Sequence, residues 1–175
     1  METTPAILLR KTKLSDTSLI VSWLTKAHGK LKTVAKGARQ PKSRFAGRLD
    51  FCFECEIQLA RNRKSELHTL REAALVESHD GLRLDFRRVA LAAYFVELVE
   101  LVTEPEHAVP EIYDLLRRAV RYLNENPATA RALEHFENEL VRVLGIEHPQ
   151  VNAIVALGRV YHRIPSSRRE VLERV

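Results

Sequence analysis

In this 175-residue chain, two cysteines, seven histidines and a dense run of cations are the residues whose types and spacing invite chemistry. Cys52-x-x-Cys55 has the spacing of a thiol metal or redox pair. On a strand, however, positions three apart point to opposite faces, so the two thiols cannot close on one ion. No third cysteine is available, and the pair reads as structural, with Cys55 in a core and Cys52 outside it. The histidines (His28, His68, His79, His107, His135, His148 and His162) form no His-Glu-x-x-His unit. His135 and Glu139 lie one helical turn apart, a spacing that reads as a surface contact. Gly37 to Lys42 lacks the second glycine of a phosphate loop, and no serine elbow is present. Catalytic residues, a metal and a cofactor are all expected to be absent, so the chain does not read as an enzyme.

The cations carry more. Of the 28 Lys and Arg, 15 lie in residues 1–80 against 9 acids, so the whole excess positive charge sits in that half. Between Asp16 and Asp50 no acid occurs, whereas Lys26, Lys30, Lys32, Lys36, Arg39, Lys42, Arg44 and Arg48 do. Scattered lysines would read as a solvated face. Eight cations without one acid make a one-sided field that attracts and steers polyanions, nucleic acid first.

The elements that must position these cations change period near residue 80. Ala6–Lys13, Ser18–Thr25, Lys30–Ala35, Leu49–Ala60 and His68–Val76 read as strands, being short, β-branched or alternating, and separated by turn residues. Lys36 to Gly47, rich in Gly, Pro and cations, reads as a long exposed loop, and Arg61–Glu66 as a polar turn. In Leu49–Ala60, the residues Phe51, Phe53, Cys55, Ile57 and Leu59 alternate with Cys52, Glu54, Glu56 and Gln58. Five short strands in about 75 residues predict a small closed barrel, of which the OB-fold is the commonest five-stranded kind. Beyond Gly81 the period is helical. Asp85–Val102 is apolar around most of its circumference and predicts a buried central helix, and Thr103–Pro110 breaks the pattern. Ile112, Leu115, Leu116, Ala119 and Leu123 mark a second helix, and Leu133, Phe136, Leu140, Val143 and Leu144 a third that stops at Gly145. Val151–Tyr161 reads as a fourth helix, with Ser166 or Ser167 capping a short last one. The expected class is α+β: an OB-fold barrel over residues 1–80, binding nucleic acid, then a helical bundle over 81–175.

With 45% apolar and 29% charged residues, the composition excludes disordered, collagenous and disulfide-scaffold classes. The longest mostly apolar stretch, Val89–Val102, is too short to span a bilayer, and Met1–Lys13 puts its apolar run before its basic cluster, the reverse of a signal peptide. A cytoplasmic, nucleoid-associated protein without membrane contact is expected.

OB-type barrels bind single strands with a positive groove and aromatic platforms. Trp23 shares a face with Leu19 and Val21 and, with Phe51 and Phe53, reads as core. Phe45, alone among Lys42, Arg44 and Arg48, is either a base-stacking platform or an anchor holding the loop to the barrel. Contacts through phosphates rather than bases are expected.

The run Lys36-Gly37-Ala38-Arg39-x-Pro41-Lys42-Ser43-Arg44-Phe45-Ala46-Gly47-Arg48-Leu49 resembles the loop after the third strand in the bacterial recombination mediator family RecO. Ser15-Asp16-Thr17-Ser18-Leu19-Ile20-Val21 is similar to that family's opening hairpin, Lys26-x-His28-Gly29-Lys30-Leu31 to its next turn, and Leu70-Arg71-Glu72-Ala73 to its fifth strand. Phe136-Glu137-x-Glu139-Leu140-x-x-x-Leu144-Gly145 resembles the helix before its C-terminal module. The resemblance covers roughly residues 5–149. It implies a non-enzymatic DNA-repair protein that binds single- and double-stranded DNA and anneals complementary strands. With RecR, and often RecF, it would load RecA onto DNA coated by single-strand-binding protein. Carried over residue by residue, DNA contact falls to Lys36, Arg39, Lys42 and Arg44, with Lys30, Lys32 and Arg48 added from charge. The family's helical domain docks the acidic C-terminal tail of single-strand-binding protein. Arg117, Arg118 and Arg121 are the cations offered to it here, a solvated helix face being their other reading.

Two departures stand out. Many members carry a four-cysteine zinc module after the leucine-glycine pair, whereas Ile146 onward holds no cysteine, so zinc is expected to be absent. The stretch after Gly145 is also short, and the last helices are expected to be reduced. From the residues alone, an OB-fold RNA-binding module and a protein-interaction module remain the alternatives.

Overall fold

The computed structural model describes residues 1–175, which divide into two compact units. Met1–Ser78 with Thr103–Tyr113 forms the barrel unit, and His79–Val102 with Asp114–Val175 the helical unit.

Five strands make the barrel: β1 (Glu2–Lys13), β2 (Leu19–Thr25), β3 (Gly29–Ala35), β4 (Glu54–Ala60) and β5 (Leu67–Glu77). They close in the order β1-β2-β3-β5-β4, with only β3 and β5 parallel, which is the OB-fold topology. β1 belongs to both halves of the barrel because a bulge at Leu9 bends it from β4 towards β2. Alternation then buries Ala6, Leu8, Val21, Trp23, Leu31, Ile57, Leu59 and Leu70 in one core. Trp23 is fully buried, and its indole N–H donates to the Thr33 hydroxyl at 2.9 Å, so its polar atom is satisfied. Residues Thr103–His107 lie along the start of β3, where the Glu106 N–H donates to the Lys30 carbonyl at 2.8 Å. Gly29 permits this approach: it sits at φ +67°, and a Cβ there would meet the His107 carbonyl oxygen at 2.0 Å.

A 3-10 turn at Asp80–Leu84 opens the helical run of α1 (Phe86–Val102), α2 (Pro110–Glu125), α3 (Ala130–Val143), α4 (Ala153–Tyr161) and α5 (Ser167–Leu172). As its composition demands, α1 is buried around most of its circumference, and Phe95 stacks on Phe136 of α3 with ring centroids 4.0 Å apart. The Thr129 hydroxyl caps α3 by accepting from the Ala132 N–H at 3.1 Å. Its C-terminus closes through Gly145 at φ +68°, with Gly145 N–H donating to Arg142 O and Ile146 N–H to Val141 O. Arg168 of α5 forks onto the buried Glu137 carboxylate at 2.7 and 3.0 Å, and the Tyr94 hydroxyl donates to the same group at 2.6 Å. No helix is long and apolar enough to cross a membrane.

Two expectations change, and a third gains detail. β4 starts at Glu54, not Leu49, because Cys52 takes a left-handed backbone at φ 61° that breaks the alternation. Cys52 is consequently fully buried rather than outside, Glu54 is buried too, and Phe51 is only half-buried. The Lys36–Gly47 stretch is, as expected, a loop exposed at its cations, and it runs as a chain of successive turns. At the last helix, Ser166 holds the cap position without a side-chain cap bond, while the Ser167 hydroxyl donates to Glu97 instead.

Candidate nucleic-acid interface

Strand polarity decides where the loops go. Since β1, β3 and β5 run one way and β2 and β4 the other, the β1–β2 hairpin tip and the β3–β4 loop share one end of the barrel. The β2–β3 turn and the β4–β5 loop share the opposite end. β3 joins the two ends, and its outward positions are Lys30, Lys32 and Val34, leading to Lys36. Successive outward positions on a strand lie about 6.7 Å apart, so the lysines form a spaced row rather than a cluster.

The β3–β4 loop continues that row and is pinned at three points. At the hairpin tip, Arg39 donates its backbone N–H to Thr17 O at 3.0 Å and its guanidinium to Ser15 O at 2.8 Å. In the middle, Phe45 and Leu49 enter the barrel core. At the far side, Lys11 of β1 reaches Leu49 O and the Asp50 carboxylate, each at 3.0 Å. These ties leave Lys36, Lys42, Arg44 and Arg48 exposed on a fixed frame. Lys32, Lys36 and Lys42 make no ion pair or hydrogen bond within the chain. Arg44 lies 5.0 Å from the Phe45 ring centroid, and Arg48 donates to Ala73 O at 3.4 Å.

Phe45 resolves in favour of the anchor. It is only 3% exposed and belongs to the same buried core as Trp23 and Phe53, so it has no free face for a base. Arg39 is a tether between loop and hairpin as well as a surface cation.

The opposite end of the barrel holds a network that sequence reading missed. Arg61 pairs with Glu2 at 2.9 Å and Glu106 at 2.7 Å, and buried His68 also bonds Glu106. His68 Nδ1 accepts from the Asn62 N–H at 3.1 Å, so Nε2 carries the proton donated to Glu106. That bond, aided by Arg61, holds the Glu106 carboxyl below its ordinary range, and Arg61 does the same for Glu2. Arg63 and Lys64 stand exposed beside this network and extend the positive surface. The Arg-Asn-Arg-Lys run in a strand-to-strand loop was the available signal.

In the helical unit a cavity of about 450 Å³ opens between α2 and α3, floored by Phe95, Leu115 and Phe136 and rimmed by Arg118, Arg131 and His135. No acid lines it. Of the three arginines considered for this unit, only Arg118 lines the cavity. Arg117 and Arg121 stand on another face of α2, about 100° round the helix for each residue's step. Arg131 and His135 were legible as an i,i+4 pair beside the apolar stripe. Nowhere do three or more His, Cys, Asp or Glu side chains gather in a way that could hold a metal ion. Burial, with Glu54 nearby, pushes the Cys55 thiol up to about 12.

Comparison with known proteins follows this division of the chain. The family model Recombination protein O N terminal matches residues 1–79, and Recombination protein O C terminal matches residues 83–159. A DNA repair protein RecO from Rhodopirellula baltica is 31% identical over 154 residues, covering 88% of this chain and 57% of the relative. Its namesake from Desulfatibacillum aliphaticivorans is 36% identical over 123 residues, 70% of this chain and 48% of the relative. That from Bacillus pumilus is 31% identical over 153 residues, 87% and 59%. The chain thus spans about half to three-fifths of the length of these relatives. Their likeness runs through barrel and helices alike, in the order in which the two family models match, and on that ground the chain belongs to the RecO family.

Proposed function

We propose that this chain is a non-enzymatic DNA-repair and recombination mediator that binds single- and double-stranded DNA along the cationic face of its barrel. The observation that carries this reading is the row of Lys30 and Lys32 on β3 and Lys36 just beyond its end, continued by Lys42, Arg44 and Arg48 on a loop tethered at both ends. A fixed array of cations, all but half-buried Lys30 exposed and with no exposed aromatic among them, suits phosphate contact without base readout. Such a surface screens repulsion between two strands and so favours annealing.

In this reading the chain acts with RecR, and with RecF, in loading RecA onto DNA coated by single-strand-binding protein. The cavity between α2 and α3 is the dock for that protein's acidic C-terminal tail, because its apolar floor and its Arg118, Arg131 and His135 rim complement an acidic peptide with an apolar end. Arg131→Glu would then abolish binding of the tail peptide while leaving DNA affinity intact.

The deciding experiment titrates wild type and a Lys32→Glu/Lys36→Glu/Lys42→Glu variant against labelled single-stranded DNA over a salt series. None of these lysines holds the fold, so the variant should fold normally by circular dichroism. Each lost phosphate contact flattens the salt dependence by about 0.7 log units, about 2 for three. Equal affinity and slope in both proteins would refute the reading, and tighter binding to structured RNA than to DNA would redirect it.

A further inference from the structure

We propose that Arg44, Arg48 and Arg71 form a phosphate-anchoring cleft beside β5, an element of the barrel separate from the lysine row on β3. This rests on the nucleic-acid reading above and adds the residue that would fix a strand's position rather than steer its approach.

A cleft of about 290 Å³ is lined by Arg44, Phe45, Arg48, Arg71, Glu72 and Ala73. It exists because β3 pairs with β5 only from Lys32–Val34 to Leu67–Thr69. Beyond that point the chain leaves β3 and crosses as the β3–β4 loop, and the β5 edge is met by the Arg48 guanidinium at Ala73 O. Arg71 is brought there by a bulge. In the β4–β5 ladder Gln58 faces Glu72 and Leu59 faces Leu70, which leaves Arg71 as the extra residue. Bulges re-aim side chains. Leu70 and Ala73 keep their places in the core, and Arg71 and Glu72 both turn outward. Arg44 is positioned from the other wall by the ring of Phe45, itself locked in the core.

Three arginines, from a loop and a bulge, therefore line one cleft, and none of them is ion-paired. Glu72 is the one carboxylate in the lining, leaving a net charge of +2. Guanidinium forks bind phosphate oxygens bidentately and are weakly hydrated, unlike the point charges of the β3 lysines. The ligand chemistry is a nucleic-acid phosphate, either an internal phosphodiester or a terminal phosphate.

The test measures anisotropy of 3′-labelled oligothymidylate, with a 5′-hydroxyl or a 5′-phosphate, against the full chain as wild type, Arg71→Ala and Arg71→Lys. Unchanged Trp23 emission certifies each fold. Arg71→Ala should weaken binding about tenfold or more and flatten the salt slope by about 0.7. Arg71→Lys should keep the slope without recovering the affinity. A 5′-phosphate that tightens binding to wild type alone assigns the cleft to strand ends, and equal binding assigns it to internal phosphates. Arg71→Ala matching wild type in affinity and slope would overturn the proposal. If the lysine triple variant binds normally while Arg71→Ala does not, the β3 row fails and the cleft stands. If wild type binds no oligonucleotide, the functional reading fails and tripolyphosphate decides the cleft. A rise in the barrel's melting temperature that Arg71→Ala abolishes would support it, and equal rises would overturn it.

Discussion

Replacing Phe45 separates the two roles its sequence position allows. Its ring is 3% exposed and shares the core with Trp23, so Phe45→Ala removes a buried aromatic and leaves a cavity. Such truncations cost about 3–5 kcal/mol, a large share of the roughly 5–15 kcal/mol that holds a domain folded. With a urea dependence of about 1–2 kcal/mol per molar for a unit of this size, the midpoint should fall by at least about 1.5 M. The assay is urea unfolding followed by emission of Trp23, the chain's one tryptophan, which reports on the same core. Phe45→Leu keeps most of the volume and should cost less than about 1.5 kcal/mol, and losing the ring beside Arg44 should weaken DNA binding by no more than about fivefold. A base-stacking Phe45 behaves in the opposite way. Its replacement by leucine would forfeit about 1–3 kcal/mol of binding, roughly 5- to 150-fold, at little cost to stability. A variant that keeps its urea midpoint and loses affinity well beyond fivefold would therefore refute the anchoring argument.

Gly29→Ala should destabilise the barrel by more than the roughly 1–2 kcal/mol of a left-handed alanine, since its Cβ also meets the His107 carbonyl; an unchanged Trp23-monitored midpoint would sink that account. Arg168→Ala strands the Glu137 carboxylate in the helical unit and should cost about 3–5 kcal/mol by helical circular dichroism, against less than about 0.5 kcal/mol if the pair is idle. The Glu106 carboxyl is held below its ordinary value of 4.5 in the fold, so its contribution is present above that pH and lost as pH falls through the lowered folded value. Melting temperature should accordingly drop below about pH 4.5, and Glu106→Gln should make the barrel less stable at neutral pH with a shallower acid dependence. Identical acid profiles for the two proteins would count against the His68–Glu106–Arg61 network.

Much of this was legible in local pattern. The switch from two-residue to helical period near residue 80 set out five strands and then helices, and the buried face of β2 was readable from Leu19, Val21 and Trp23. Periodicity works there because one face of each element meets one core, so spacing and burial coincide. The acid-free run between Asp16 and Asp50 located the positive half without any fold. The loop and hairpin motifs, which also carried the family, lie in segments that the Arg39 N–H to Thr17 O bond brings together.

What the tertiary structure alone decided lies where spacing and burial part company. Phe45 sits in a loop with no period, and only the meeting of that loop with strands from elsewhere in the chain makes it core. A left-handed turn at Cys52, just before β4 begins, buries the thiol. A bulge at Arg71 lets Leu70 and Ala73 both stay in the core while Arg71 and Glu72 both face outward. Among Arg117, Arg118 and Arg121, sequence spacing could not choose. The packing of α2 on α3 chose Arg118 and added Arg131 and His135. Charge and period are properties of a segment and can be read from it. The direction of a side chain at a turn, a bulge or a helix contact depends on residues tens of positions away, and the fold alone brings those residues together.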